Sequence, residues 1–236
     1  YNSCHMEKIL YRQTDEPGWQ DFIANKFGPF VHQAYLKQNP SEHVDIYREA
    51  TETIDSDIVF SLEQNGHIMG FTAVKILPEF SLSPAIYVRE IAVDSRYRGR
   101  GLSHELRLWM NDALKPSVVL GTANNPVSVI SRARLFDRLG FQTYCGNLPV
   151  FPYLEPLSPE SMEFTSLEFV KKVFPEHVEQ YQAGVVPYTD NLIWGQFVPD
   201  LEPNLQNVLG EILASQLEHQ MPAMATLISV KLQKSA

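Results

Sequence analysis

Polar and apolar positions alternate over residues 7–13, which predicts a strand. Pro17-Gly18 then opens a stretch, 19–38, that reads as one or two short helices split at Gly28-Pro29. After a polar segment, 39–57, two β-rich runs at 57–63 and 67–77 flank Gln64-Asn65-Gly66. Asn-Gly suits the positive φ angles of a tight hairpin, so the two runs are expected to pair antiparallel. Residues 85–93 form another apolar strand candidate. Beyond a loop, Leu102, Leu106, Trp109, Met110 and Ala113 recur every three or four residues, the pattern of an amphipathic helix that Pro116 stops. A short buried strand follows at 117–123. Asn125 is placed to cap a helix that Pro126 starts and that runs to Leu139, with Gly140 as its left-handed stop and a strand at 141–145.

The remainder is less regular. Pro149, Pro152, Pro156 and Pro159 punctuate a linker, and Leu167, Val170, Val173 and Phe174 suggest a helix. Tyr188 and Trp194, the latter in strand-like LIWGQF, read as packed aromatics or the lining of an acceptor pocket. A stronger helical stripe spans 205–217, and 223–232 reads as a last strand. The expected organisation is a core at 1–149, a helical or irregular insertion at 150–222, and a closing strand of the core sheet at 223–236.

Composition narrows the classes of function. The 236 residues suffice for one sizeable core without covalent staples. Cys4 and Cys145 are far apart and outside any CxxC pattern, which excludes a disulfide framework or a Cys-built zinc site and points to a reducing compartment, the cytoplasm. No apolar stretch approaches the ~20 residues of a membrane span, and no signal peptide is legible at the start. A net charge of -9 argues against nucleic-acid or anionic-membrane binding. The seven histidines show no i, i+4 pairing and no HExxH, so no metal is expected. Nor does GLSHE supply a nucleophile elbow.

The sequence Arg96-Tyr97-Arg98-Gly99-Arg100-Gly101 carries the chemistry. It lies between an apolar strand and an amphipathic helix. Two glycines let the chain turn tightly, so that successive N–H groups and the helix N-terminus converge on one point suited to a diphosphate. Three arginines add local positive charge to an acidic chain. A Rossmann fingerprint would need a third Gly where His104 stands, and a P-loop would need Gly-Lys-Ser/Thr.

The stretch IYVREIAVDSRYRGRGLSHELRLWM resembles the acyl-CoA binding motif of the GNAT superfamily of N-acyltransferases, and SRARLFDRLGF resembles that superfamily's second motif. The hairpin NGHIMGFTAV resembles its second and third strands. The resemblance covers about residues 55–145. It implies an α/β (α+β) fold, a mixed central sheet splayed between the 85–93 and 117–123 strands and flanked by helices, with a C-terminal helical elaboration before the last strand. It further implies that acetyl-CoA is the co-substrate. Backbone groups of Ile91, Ala92 and Val93 would pair with the pantetheine arm, and the loop from Arg96 through Arg98, Gly99, Arg100, Gly101 and Leu102 to Ser103 would take the diphosphate. Asn125 and Phe136 complete the cofactor set.

The implied reaction is acetyl transfer from a thioester to a primary amine by direct attack, on a small-molecule or protein acceptor. Glu90 is the candidate base, with Arg89 directed to the opposite face if the strand is regular. Many relatives carry a general-acid tyrosine in the slot that Phe136 fills here, and phenylalanine has no proton to give. Tyr144 is therefore the candidate acid, with Tyr97 and Tyr87 as substitutes. Two alternatives stay open: a long-chain acyltransferase fed by acyl-CoA or acyl carrier protein, and a non-catalytic acyl-CoA-binding protein. Acidic residues in 39–57, among them Asp55 and Asp57, would suit a cationic acceptor or form a solvated loop. The reading leaves room for a homodimer.

Overall fold

The computed structural model describes residues 6–30, 55–77, 85–123, 126–147, 155–156, 167–168, 171, 178–182 and 192–197. The expected helical stripe at 205–217 and the last strand at 223–236 lie outside them, as does most of the 39–57 segment. The chain divides into two compact units, 1–116 and 117–236.

In the first unit four strands form an antiparallel sheet in the order β1 (Glu7–Arg12), β2 (Ile58–Gln64), β3 (His67–Leu77), β4 (Ala85–Val93). The β2–β3 turn works as its sequence requires: Asn65 and Gly66 have φ of 52° and 76°, which twists the hairpin the way the strands twist. Helix α1 (Glu16–Asp21) covers one sheet face and runs directly into a π-helical stretch, Phe22–Phe27. The split expected at Gly28-Pro29 does not occur. Gly28 is itself helical, with φ -54° and ψ -53°, and the helical conformation continues to Phe30. Pro29 removes one amide donor from the ladder here, and the irregularity takes the form of a widened turn ahead of it, without a break.

Aromatic burial fixes that helix to the sheet. Tyr11, Trp19, Phe22, Phe27, Phe30, Val59, Ile68, Phe71 and Ala73 form one cluster, in which Phe27 and Phe30 both meet the Phe71 ring edge-on at 5.4 and 5.3 Å. The cluster also holds buried charge. Glu63, 0% exposed, accepts from the Tyr11 hydroxyl at 2.7 Å and from Lys26 Nζ at 2.8 Å. Burial pushes the Tyr11 phenol up to about 12, with the Lys26 bond opposing and Glu63 assisting. For Lys26 burial acts downward, but its bonds to Glu63 and Tyr11 prevail and bring it to about 12.

Helix α2 (Leu102–Leu114) packs on β2, β3 and β4. Leu106 and Met110 are buried, and Phe60 meets Trp109 edge-on at 5.0 Å. Full burial of a Leu or Phe side chain contributes about 1.5–3 kcal/mol. The Lys8–Glu105 pair at 3.2 Å is a surface contact, a class worth about 0–1 kcal/mol. Packing, not ion pairing, therefore holds α2.

The second unit contains β5 (Val118–Ala123), helix α3 (Pro126–Asp137), β6 (Gln142–Asn147), the two-residue β7 (Glu155–Pro156), a short helix α4 (Val178–Gln182) and β8 (Leu192–Phe197). Strand β8 lies between β5 and β6 and pairs antiparallel with each, while β7 pairs with β6. The segment 150–222 thus supplies the strand that joins β5 to β6. Gly140 takes φ +83° after α3, the left-handed stop that the sequence predicts. The α/β class is the expected one.

Candidate functional site

Strand β4 is buried from Ala85 to Arg89 and half-buried from Glu90 to Val93. Its pairing with β3 slips by one residue: Ala73 faces Glu90, and Val74 faces Val88. Arg89 is the extra residue of a β-bulge, so the alternation assumed for a regular strand does not hold at Arg89 and Glu90. The two side chains still part company. Arg89 donates to Asp55 at 3.0 Å and lies over the Tyr87 ring at 5.5 Å. Glu90 Oε1 accepts from the Ile91 amide at 3.1 Å, and the Glu90 carbonyl accepts from Thr72 Oγ1 at 3.0 Å. Asp55 also pairs with Lys75, and Asp57 Oδ2 accepts from the Ile76 amide. Both described acids of the 39–57 segment therefore serve the sheet's own groups.

At the end of β4 the chain is steered by Asp94, which the sequence reading missed. Its amide donates to the Met69 carbonyl at 2.9 Å, and its carboxylate caps a 3₁₀ turn, Ser95–Tyr97, by accepting from the Arg96 amide at 2.9 Å. The same carboxylate receives the Arg96 guanidinium, with Nε at 3.1 Å from both oxygens and one terminal nitrogen at 2.6 Å from Oδ2. Hydrogen bonding from Arg96 holds the Asp94 carboxyl below the usual carboxylate range, against the opposing effect of burial. An acid two residues ahead of the arginine was the available signal, since Asp readily bonds the backbone two residues on.

After the turn Gly99 and Gly101 take φ of +74° and +79°. A Cβ at either would meet nothing within 4 Å, so the positive φ, and not close packing, is what calls for glycine at both positions. The α2 ladder begins where the His104 and Glu105 amides both donate to the Gly101 carbonyl at 3.0 Å. The Leu102 and Ser103 amides precede that ladder and have no acceptor within the helix. Two left-handed glycines ahead of a helix N-terminus are the backbone features from which an anion nest is built.

The loop arginines are engaged at its rim. Arg96 is bound to Asp94, Arg98 Nε donates to the Val93 carbonyl at 3.2 Å, and Arg100 lies over the Tyr97 ring at 5.3 Å, with Arg96 also over that ring at 5.6 Å. All three stay exposed. Gly70 is a further missed residue. A Cβ there would lie 3.0 Å from the Ala92 carbonyl and 3.1 Å from Val93 Cγ2, so its hydrogen is what lets β3 pack against the end of β4.

The remaining candidates belong to the second unit. Phe136, 1% exposed, packs edge-on against Phe141 at 5.2 Å. Tyr144 lies on β6, paired with Gly195 and Pro156. Asn125 lies outside the described residues. The two strands expected to part around the pantetheine, β4 and β5, belong one to each unit. Among the described residues no group of three or more His, Cys, Asp or Glu is placed to hold a metal, and no helix is long and apolar enough to cross a membrane.

Residues 28–141 match the sequence model of the Acetyltransferase (GNAT) family. None of the curated proteins compared with the chain matches it. Among solved structures it is similar to an IAA acetyltransferase from Bacillus cereus ATCC 14579, with 16% identity and a TM-score of 0.43 over 82% of this chain and 99% of that one. The ribosomal-protein-S18-alanine N-acetyltransferase from Escherichia coli shows 14% identity and a TM-score of 0.44 over 82% and 93%. A GNAT family N-acetyltransferase from Escherichia coli in complex with CoA shows 18% and 0.39 over 60% and 71%.

Proposed function

We propose that the protein is an acetyl-CoA-dependent N-acetyltransferase that acetylates a primary amine by direct attack. The two left-handed glycines, Gly99 and Gly101, directly ahead of the α2 N-terminus are the observation that carries this reading. When bound, acetyl-CoA supplies the activated thioester carbonyl. The amides from Gly99 to Ser103 hold the diphosphate, and the half-buried backbone of Ile91, Ala92 and Val93 receives the pantetheine arm. An amide near Ala92 or Val93 polarises the carbonyl, a one-donor oxyanion contact worth about 2.7–4 kcal/mol when well placed.

Glu90, at the bulge beside that backbone, takes the proton from the attacking amine, directly or through water. The departing thiolate resembles that of cysteine, whose acid has a pKa of ~8.5. It leaves without an obligatory acid, which suits Phe136 in the usual tyrosine slot and reserves for Tyr144 a contributory role.

Thermal-shift and calorimetric titration with CoA, acetyl-CoA and a long-chain acyl-CoA tests the donor site. Acetyl-CoA is expected to raise the melting temperature of the wild type and not of Gly99→Glu, which places a carboxylate and a strained φ in the loop proposed to hold the diphosphate. In an amine-acceptor screen, Glu90→Gln is expected to lower turnover by about 10²–10⁴-fold, the usual range for a lost general base. Absence of any CoA-ester binding would overturn the reading. Binding without turnover on any amine would leave a non-catalytic acyl-CoA-binding protein.

A further inference from the structure

Glu90 is curled back on its own backbone. Its Oε1 accepts from the amide of the next residue, Ile91, at 3.1 Å, in a bond that is only part-buried. The main chain beneath it is anchored: the buried Thr72 hydroxyl donates to the Glu90 carbonyl at 3.0 Å, and Ala73 faces Glu90 across the sheet. The side chain is therefore the part of this residue that can move.

The bulge explains why a side chain serves the backbone here. An antiparallel ladder turns the N–H and C=O of alternate residues to the partner strand and those of the residues between away from it. Arg89, inserted between the partners of Ala73 and Val74, interrupts that alternation immediately before Glu90. A half-buried amide needs an acceptor, and at Ile91 the adjacent carboxylate supplies one. That amide carries a single hydrogen. A carbonyl of a pantetheine arm laid along Ile91, Ala92 and Val93 needs the same hydrogen, so the two acceptors compete for it. A carboxylate that accepts an N–H is also the weaker base.

We infer that the Glu90 carboxylate is a displaceable cap on the donor cleft, holding the Ile91 amide until the pantetheine arm takes its place and turning to the amine only then. The inference rests on the reading of Glu90 and of the Ile91–Val93 backbone given above, and adds an order to it: donor first, proton transfer second. The exchange makes and breaks no covalent bond; one hydrogen-bond acceptor replaces another at one amide.

Calorimetry of wild type, Glu90→Gln and Glu90→Ala with CoA, phosphate-free pantetheine and ADP, which carries a diphosphate without the arm, tests this. Glu90→Ala removes the cap and is expected to bind CoA and pantetheine on the order of 2- to 10-fold more tightly, the scale of one hydrogen bond, with ADP unchanged. Glu90→Gln, whose carboxamide oxygen still accepts but carries no charge, falls between wild type and Glu90→Ala. Mere loss of a negative charge near an anionic ligand would instead strengthen ADP along with CoA, equally in both variants; that result overturns the inference, as does CoA affinity unchanged in both. In spectra of protein labelled with nitrogen-15 isoleucine, the Ile91 amide is the resonance that Ile91→Val removes. It is expected to shift in ligand-free Glu90→Ala and, in the wild type, on addition of pantetheine. An Ile91 amide indifferent to both overturns the inference while leaving the donor site standing. A wild type that binds no CoA overturns the donor site itself.

Discussion

Asp94 concentrates three tasks in one side chain: it caps the turn after β4, fixes Arg96, and ties the strand end to Met69 through its own amide. Because its folded pKa is depressed, the stability it adds is present above the unfolded value of ~3.9 and is lost as pH falls through the lower folded value. Asp94→Asn is expected to cost about 1–3 kcal/mol at pH 7. In urea titrations the gap from wild type should narrow steadily below about pH 4; a gap unchanged down to pH 2 would assign the effect elsewhere. Lys26 and Tyr11 run the opposite way. Their raised pKa values add stability that is full below the unfolded value of ~10 and is lost as pH rises toward 12. Lys26→Met strands the buried Glu63 with only Tyr11 and should cost about 3–5 kcal/mol at pH 7.

Elements built from local signals were legible in the chain: the Asn-Gly hairpin, the apolar β4, the amphipathic α2 and the Gly140 stop each follow from a few neighbouring residues. The loop's backbone was legible too, since two glycines before a helix are where the chain takes positive φ. Features settled by long-range partners were not. The bulge at Arg89 depends on register with β3, Asp94 acts through Met69, and the joining role of β8 depends on two strands far away in sequence. The burial of Arg107 on α2 was not legible either, because a charged residue beside an amphipathic stripe reads as surface. Gly70 shows how one element limits another. Gly70→Val is expected to cost about 1–3 kcal/mol by overpacking and, by displacing Ala92 and Val93, to reduce the stabilisation conferred by acetyl-CoA; a melting series with and without the ligand separates the two effects.

Over the whole molecule the net charge of -9 opposes a polyanionic ligand, while three exposed arginines reverse the sign locally. Such rim charges act chiefly on encounter, and their reach shrinks with the Debye length, from about 10 Å at 0.1 M to 3 Å at 1 M salt. Arg100→Gln should therefore slow CoA association at low salt and match the wild type at high salt, which stopped-flow measurement at several ionic strengths would resolve. A difference that persisted at 1 M would mean direct contact with the ligand.

The widened turn at Phe22–Phe27 bears on which changes in chain length this helix tolerates. With i to i+5 bonding, residues five apart stand one above the other, and so Phe22 and Phe27 stack at 5.6 Å on the sheet side. In chain-length terms the segment already holds one residue more than an α-turn needs. Removing the exposed Ala24 would restore ordinary spacing and keep the two rings together, whereas one further insertion would carry Phe27 and Phe30 away from Phe71.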